Sequence, residues 1–240
     1  MKTFAWLRIA IIFSFMTVVL SGCSTDNNQA GAEEGKANIE IDEVGSQAVD
    51  AEPEEDEVSR PLIIYFDYSE NVDTTGQDVD AISSATLRTD ATENNTGKLI
   101  AIVDEIKAVK DADVFSIQVN ETYAPKYDDM VGQAKQDISD DKNFTFRSDL
   151  IGLDGYETIY FVTPIWWGEL PQPVQVFFEQ YDFSGKTIIP VVVHRGSGFG
   201  RTVSQMQEFE PDAIVLDGVA ISADIDNSVA LENIDELLGK

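Results

Sequence analysis

Between Pro61 and Lys240 short apolar runs alternate with amphipathic segments, and few folds accept that alternation. Leu62-Ile63-Ile64-Tyr65-Phe66, Val114 to Val119, Ile159 to Val162, Thr187 to Val193 and Ile214-Val215-Leu216 have strand length and are rich in β-branched and aromatic residues. Helical spacing follows each of them. Leu99, Ile102, Val103 and Ile106 share one face after the start signal Asn95-Thr96-Gly97, and further helices are predicted over Tyr127 to about Ile138, Pro171 to Tyr181, Arg201 to Phe209 and Ser228 to Leu238. Strands joined by helical crossovers run parallel and are covered on both faces, which explains runs that are apolar throughout. The expected fold is a single α/β domain, a doubly wound five-stranded parallel sheet. Right-handed crossovers favour the order 2-1-3-4-5, which gathers the carboxyl ends of strands one, three and four around one crevice, the place where open α/β sheets bind ligands.

The loops at those three strand ends hold the candidate site. After the third strand comes Thr163-Pro164-Ile165-Trp166-Trp167-Gly168, in which two adjacent tryptophans are bracketed by Pro and Gly. Such a bracket presents a flat stacking surface for a planar aromatic ligand, although large rings also serve as core packing. One indole is expected beside the ligand and the other inside the protein. After the fourth strand comes His194-Arg195-Gly196-Ser197-Gly198-Phe199-Gly200, a turn whose cations and amides either meet the ligand edge or face solvent. The first loop offers Ser69, Asn71, Asn95, Thr96 and Gly97, groups able to hold an anion at a helix start, or equally to form a plain capped turn. Tyr123 is a weaker ring-edge candidate beside its reading as a loop anchor. A lone histidine without a cysteine cluster argues against a metal site, and no strained serine elbow accompanies it to make a nucleophilic triad.

The amino-terminal third reads differently. Lys2 and Arg8 precede the apolar run Ile9 to Val19 and then Leu20-Ser21-Gly22-Cys23, the form of a bacterial lipoprotein signal, so residues 1–22 are expected to be removed and Cys23, the only cysteine, to carry lipid. An ordinary signal peptide or an anchor helix is the plainer alternative. Residues 23–60 carry the acidic cluster Glu52-Pro53-Glu54-Glu55-Asp56-Glu57 and few large apolar residues, as expected of a tether too polar to bury a core. Residues 61–240 form the domain. The location implied is the extracytoplasmic face of a bacterial membrane. With 44 acidic against 16 basic residues and a net charge of −28, nucleic acid is a poor partner. The negative surface either steers a cationic redox partner or keeps an exported protein soluble.

Taken jointly, Tyr65-Phe66, Pro164-Ile165-Trp166-Trp167-Gly168, Gly196-Ser197-Gly198-Phe199 and Asp182-Phe183-Ser184-Gly185-Lys186-Thr187-Ile188-Ile189-Pro190 resemble the flavodoxin family, in particular a bacterial branch of it. The resemblance covers nearly all of Pro61 to Lys240. It implies noncovalent FMN, with phosphate at the first loop and helix start and the isoalloxazine ring held by the second and third loops. A donor from His194, Arg195 or a loop amide at the ring's carbonyl edge would then favour negative charge on the reduced ring. Two residues depart from the family pattern: Asp67 stands where Ser or Thr is usual, and Asn94 where Gly is usual. An insert of about 28 residues, long for a βα loop, follows the first strand. Within it Asp80-Ala81-Ile82-Ser83-Ser84-Ala85-Thr86 resembles the signature at which flavin transferases join FMN to a threonine, which makes Thr86 a possible covalent site. The expected function is electron transfer by an FMN protein anchored at the membrane surface. A flavin-dependent NAD(P)H or quinone-type reductase, and a surface binding module that has lost FMN, are the alternatives.

Overall fold

The apolar run beginning at Leu62 is buried on both sides, as a central parallel strand must be. A computed structural model of the chain describes residues 59–72 and 97–240. In it strand β1 (Leu62–Tyr65) pairs in parallel with β2 (Asp113–Ser116) on one side and β3 (Thr158–Pro164) on the other. Strand β4 (Thr187–His194) lies beyond β3, and β5 (Ile214–Val215) and β6 (Val219–Ser222) both pair with its far edge. The sheet order is β2-β1-β3-β4-β5, the doubly wound order expected from the sequence.

Odd and even strand residues feed two separate cores. Leu62, Ile64, Ile159 and Phe161 pack on α2 (Tyr127–Ser139), α3 (Gln172–Gln180) and α4 (Thr202–Phe209) through Met130, Ala134, Val174, Phe177, Phe178 and Met206. Ile63, Tyr65, Tyr160 and Val162 face α1 (Lys98–Lys110) and α5 (Asn227–Leu238) through Leu99, Ile102, Ile106, Ala230 and Ile234. Each of these side chains is withdrawn from water, at about 1.5–3 kcal/mol for a large aliphatic or aromatic group. The two layers hold the sheet rigid, and its carboxyl edge is left to the loops.

Two strands differ from the sequence expectation. The second was expected to run to Val119 and ends at Ser116, because the chain then leaves the ladder: Val119 bridges Phe146, and Asn120 N–H donates to Thr145 O at 2.9 Å. The strand expected over Ile214 to Leu216 stops at Val215, and an unexpected one resumes at Val219. Pro190 accounts for the break. It sits in mid-β4 without an N–H, and between the pairs Ile188↔Val215 and Val191↔Val219 two β4 residues face three on the outer strand. Gly218 fills the bulge against Pro190; a Cβ there would lie 1.9 Å from the Pro190 carbonyl oxygen and 3.0 Å from its ring. The resumed strand carries the chain up to the site edge, where Ala223 N–H donates to His194 O at 2.8 Å.

Candidate functional site

The tryptophan loop is a tight hairpin. Trp166 and Glu169 exchange both backbone hydrogen bonds at 3.0 Å, and Trp167 and Gly168 between them have φ of 54° and 81°, the backbone of a type I′ turn. A bulky side chain at positive φ is strained by roughly 1–3 kcal/mol, and such strain gathers at functional sites. The turn points Trp167 outward, 55% exposed, with its Nε1–H donating to Val131 O at 3.3 Å and the Lys135 ammonium 5.0 Å from its ring centre. Trp166 turns inward. Its ring meets Phe66 edge-on at 5.5 Å and Tyr123 at 4.9 Å, and its buried N–H finds no acceptor among the described residues. Tyr123 is itself buried, and burial first, then the Asp137 carboxylate, push its phenol pKa upward.

The glycine loop after β4 is stitched to this hairpin. Arg201 N–H donates to Gly168 O at 2.7 Å, and the Arg201 guanidinium donates to Glu169 Oε1 at 2.9 Å. Gly200, at φ 53°, lies so close that a Cβ on it would stand 2.2 Å from Gly168 O. Gln205 Oε1 accepts from Leu170 N–H at 2.9 Å and ties the hairpin to α4. Between the two loops and α2 opens a cleft of about 260 Å³, lined by Tyr127, Met130, Val131, Ala134, Ile165, Trp166, Trp167, Gly168, Arg195 and Ser197.

The described start of the loop after β1, up to Val72, is braced rather than open. Asp67 is fully buried and its Oδ1 accepts from Ser69 N–H at 2.8 Å, capping a 3-10 turn over Tyr68–Asn71. Glu70 accepts from Tyr65 Oη at 2.8 Å, from the Ser116 hydroxyl and from Gln118 Nε2 at 3.3 Å. Asn71 is buried and spends its side chain on the main chain, donating to Asp67 O and Ile117 O and accepting from Val119 N–H at 2.7 Å. Gly97 caps α1 without a side-chain bond.

The family model described as Flavodoxin matches residues 91–236, more than half of the chain. The chain belongs to the flavodoxin family. Two solved structures, each provisionally called a flavoprotein, share its fold. One, from Bacteroides uniformis, has 22% identity and a TM-score of 0.55, covering 76% of this chain and 99% of its own. The other, from Bacteroides eggerthii, has 17% identity and a TM-score of 0.54 over the same shares. No curated protein matches at a significant level.

In this flavodoxin the expected ring-loop residues Pro164, Ile165, Trp166, Trp167 and Gly168 stand together at the end of β3, next to Arg195, Gly196, Ser197 and Gly198. His194 closes β4 and its Nδ1 accepts from Gly196 N–H at 2.9 Å, so the histidine shapes the turn from within. Arg195 is half-exposed and lies 3.7 Å from Asp224, a surface pair of small energetic weight. Ser69 is half-buried, with its N–H taken by Asp67. Asn71 differs from the expectation of an anion contact, because its polar atoms are committed inside the fold. Asn95, Thr96, Thr86 and Cys23 lie outside the described residues. Reading the sequence placed this helix over Tyr127 to about Ile138 but missed its part in the cleft. Tyr127, Met130, Val131 and Ala134 fall at i, i+3, i+4 and i+7, a stripe that reads as core packing, yet its outer members form a wall of the cleft.

Proposed function

We propose that this flavodoxin binds FMN noncovalently at the carboxyl edge of its sheet and carries electrons at the extracytoplasmic surface of a membrane, held there through Cys23. The observation that carries the reading is the cleft in which a strained tryptophan hairpin, a glycine loop and the α2 face converge. Its walls are apolar and aromatic and its rim is polar, the chemistry a planar heterocycle requires. Ile165, Trp166, Trp167 and Gly168 supply one side, and Arg195 with Ser197 supplies a polar rim on the other. Gly97 and the start of α1, with the Ser69 hydroxyl and with Asn95 and Thr96, are the groups assigned to the phosphate. When bound, the flavin performs the electron exchange, while the chain provides placement, exclusion of water and local charge. The basic start, short apolar run and Leu20-Ser21-Gly22-Cys23 support export and lipidation, and the acidic tether supports a domain standing off the surface.

The test is titration of the full-length chain, purified in detergent, with FMN, followed by acid precipitation. Growth of a bound-flavin absorption band, with the colour released to the supernatant by acid, is expected. Colour retained in the pellet would move the linkage to Thr86, and no band at all sinks the flavin reading. The anchor has its own measurement. Cys23→Ser is expected to shift the chain from the membrane pellet to the soluble fraction, and an unchanged pellet would point to an uncleaved helix.

A further inference from the structure

We infer that His194 is a pH-sensitive latch on the glycine loop: the neutral imidazole holds in place the turn that brings Arg195 and Ser197 to the cleft, and the protonated imidazole releases it. As a control on ligand binding this rests on the flavin reading above, whereas the latch itself is readable without a ligand.

The latch follows from which group donates. Gly196 N–H is a main-chain donor whatever the pH, and it points at His194 Nδ1 at 2.9 Å. Nδ1 accepts only while it carries no proton, so the bond requires the neutral ring with its hydrogen on Nε2. In the imidazolium both ring nitrogens carry hydrogen, and Nδ1–H would face Gly196 N–H, donor against donor. One of them must move. The histidine main chain is fixed: His194 ends β4 opposite Ser222 of β6, its carbonyl accepts from Ala223 N–H at 2.8 Å, and the Val193 carbonyl before it accepts from Ile165 N–H at 3.0 Å. The imidazole therefore rotates out of the turn, and Gly196, at φ 98°, is free to follow. The far end of the turn stays fastened, by Gly200 N–H on Ser197 O at 3.1 Å and by Arg201 N–H on Gly168 O at 2.7 Å. What loosens is the start of the loop, the part that places Arg195 and Ser197 in the cleft lining.

The charges around His194 do not override this bond. Ser222 on β6 and Pro164 and Ile165 on the β3 side carry none. Arg195 beside it would oppose an imidazolium and Asp224 after β6 would favour one, but the two stand 3.7 Å apart as a pair and largely offset each other. Asp226 lies further along the same loop, where the Lys98 ammonium donates to Ile225 O. Arg201 and Glu169, 2.9 Å apart, hold the other end of the turn. The difference between the two charge states is then the Gly196 bond, present in one and lost in the other.

The test compares the full-length chain in detergent with its His194→Asn variant, titrating each with FMN at about pH 8 and at about pH 5.5, an interval in which histidine is the side chain that ordinarily changes charge. Asn Oδ1 accepts an N–H two residues on, as in an Asx turn, and takes up no proton. On acidification the wild type is expected to lose about tenfold more FMN affinity than the variant. The variant carries the contribution of the ligand's own phosphate, which titrates at about pH 6. Equal losses in the two chains overturn the latch. The ligand-free measurement uses the single Arg-Gly step in the sequence, Arg195-Gly196: carbonyl ¹³C-arginine with ¹⁵N-glycine isolates the Gly196 amide by NMR. Its proton is expected to move upfield as the pH falls, because a hydrogen bond is lost, and to stay in place in the variant. A wild-type resonance that is stationary or moves downfield overturns the latch. If FMN binds at neither pH the flavin reading fails, and the Gly196 resonance still decides the latch; it decides alone if the variant does not fold.

Discussion

Trp166→Ala is expected to lower the unfolding free energy by about 4 kcal/mol, the cost of truncating a fully packed indole. Trp166 is 6% exposed and forms edge-on contacts with Phe66 and Tyr123, which come from β1's end and the segment before α2. Removing it leaves a cavity under the cleft floor that neighbouring rings fill only in part. The same change takes away one wall of the ring site, so FMN binding should weaken with stability. Trp166→Phe separates the two effects: it keeps much of the packing and should restore most of the stability. Denaturant unfolding followed by circular dichroism gives the first number. A loss under about 1 kcal/mol for the alanine variant would show that the indole is not part of the core.

Gly200→Ala is expected to destabilise the domain by about 3 kcal/mol and to weaken FMN by a larger factor than its stability loss alone accounts for. The residue stands at φ 53°, and its added Cβ would come within 2.2 Å of a backbone oxygen that cannot swing aside as a side chain could. Relief requires the glycine loop to part from the tryptophan hairpin, breaking the bond from Arg201 N–H to Gly168 O. Both loops would then lose the relative position on which the cleft depends. The midpoint of urea unfolding, measured with and without FMN, checks this. An unchanged midpoint would mean that the close approach is not a constraint in solution.

The strand and helix pattern was legible from residue order because each element advertises itself locally. Continuous β-branched runs and apolar residues three and four apart are properties of neighbouring positions, and with right-handed crossovers they leave little choice but the observed sheet order. The two loops that line the cleft were legible for a similar reason, since Pro164-Ile165-Trp166-Trp167-Gly168 and Gly196-Ser197-Gly198 interrupt apolar strands at their carboxyl ends. The fifth strand position was not. Its division depends on Gly218 meeting Pro190, residues distant in the chain, and Pro190 in an apolar run carries no signal of which neighbour lies beside its missing N–H.

Much of the site belongs to that second kind of information. Asn71 in the sequence is a polar residue in a loop; only when Ile117 and Val119 arrive from the end of β2 does it become a brace with nothing left to offer a ligand. Asp67 is an acidic residue after a strand until the fold buries it on the Ser69 amide. The α2 stripe is a packing face until Trp167 leans over it and turns its outer part into a wall. Residue order alone settled the class of fold, the edge of the sheet at which the cleft opens and the aromatic composition of the loop after β3, because these follow from propensity and period along the chain. Packing between distant segments settled which polar groups in the crevice remain available, because a donor or acceptor is used up by whichever partner the fold brings within about 3 Å of it.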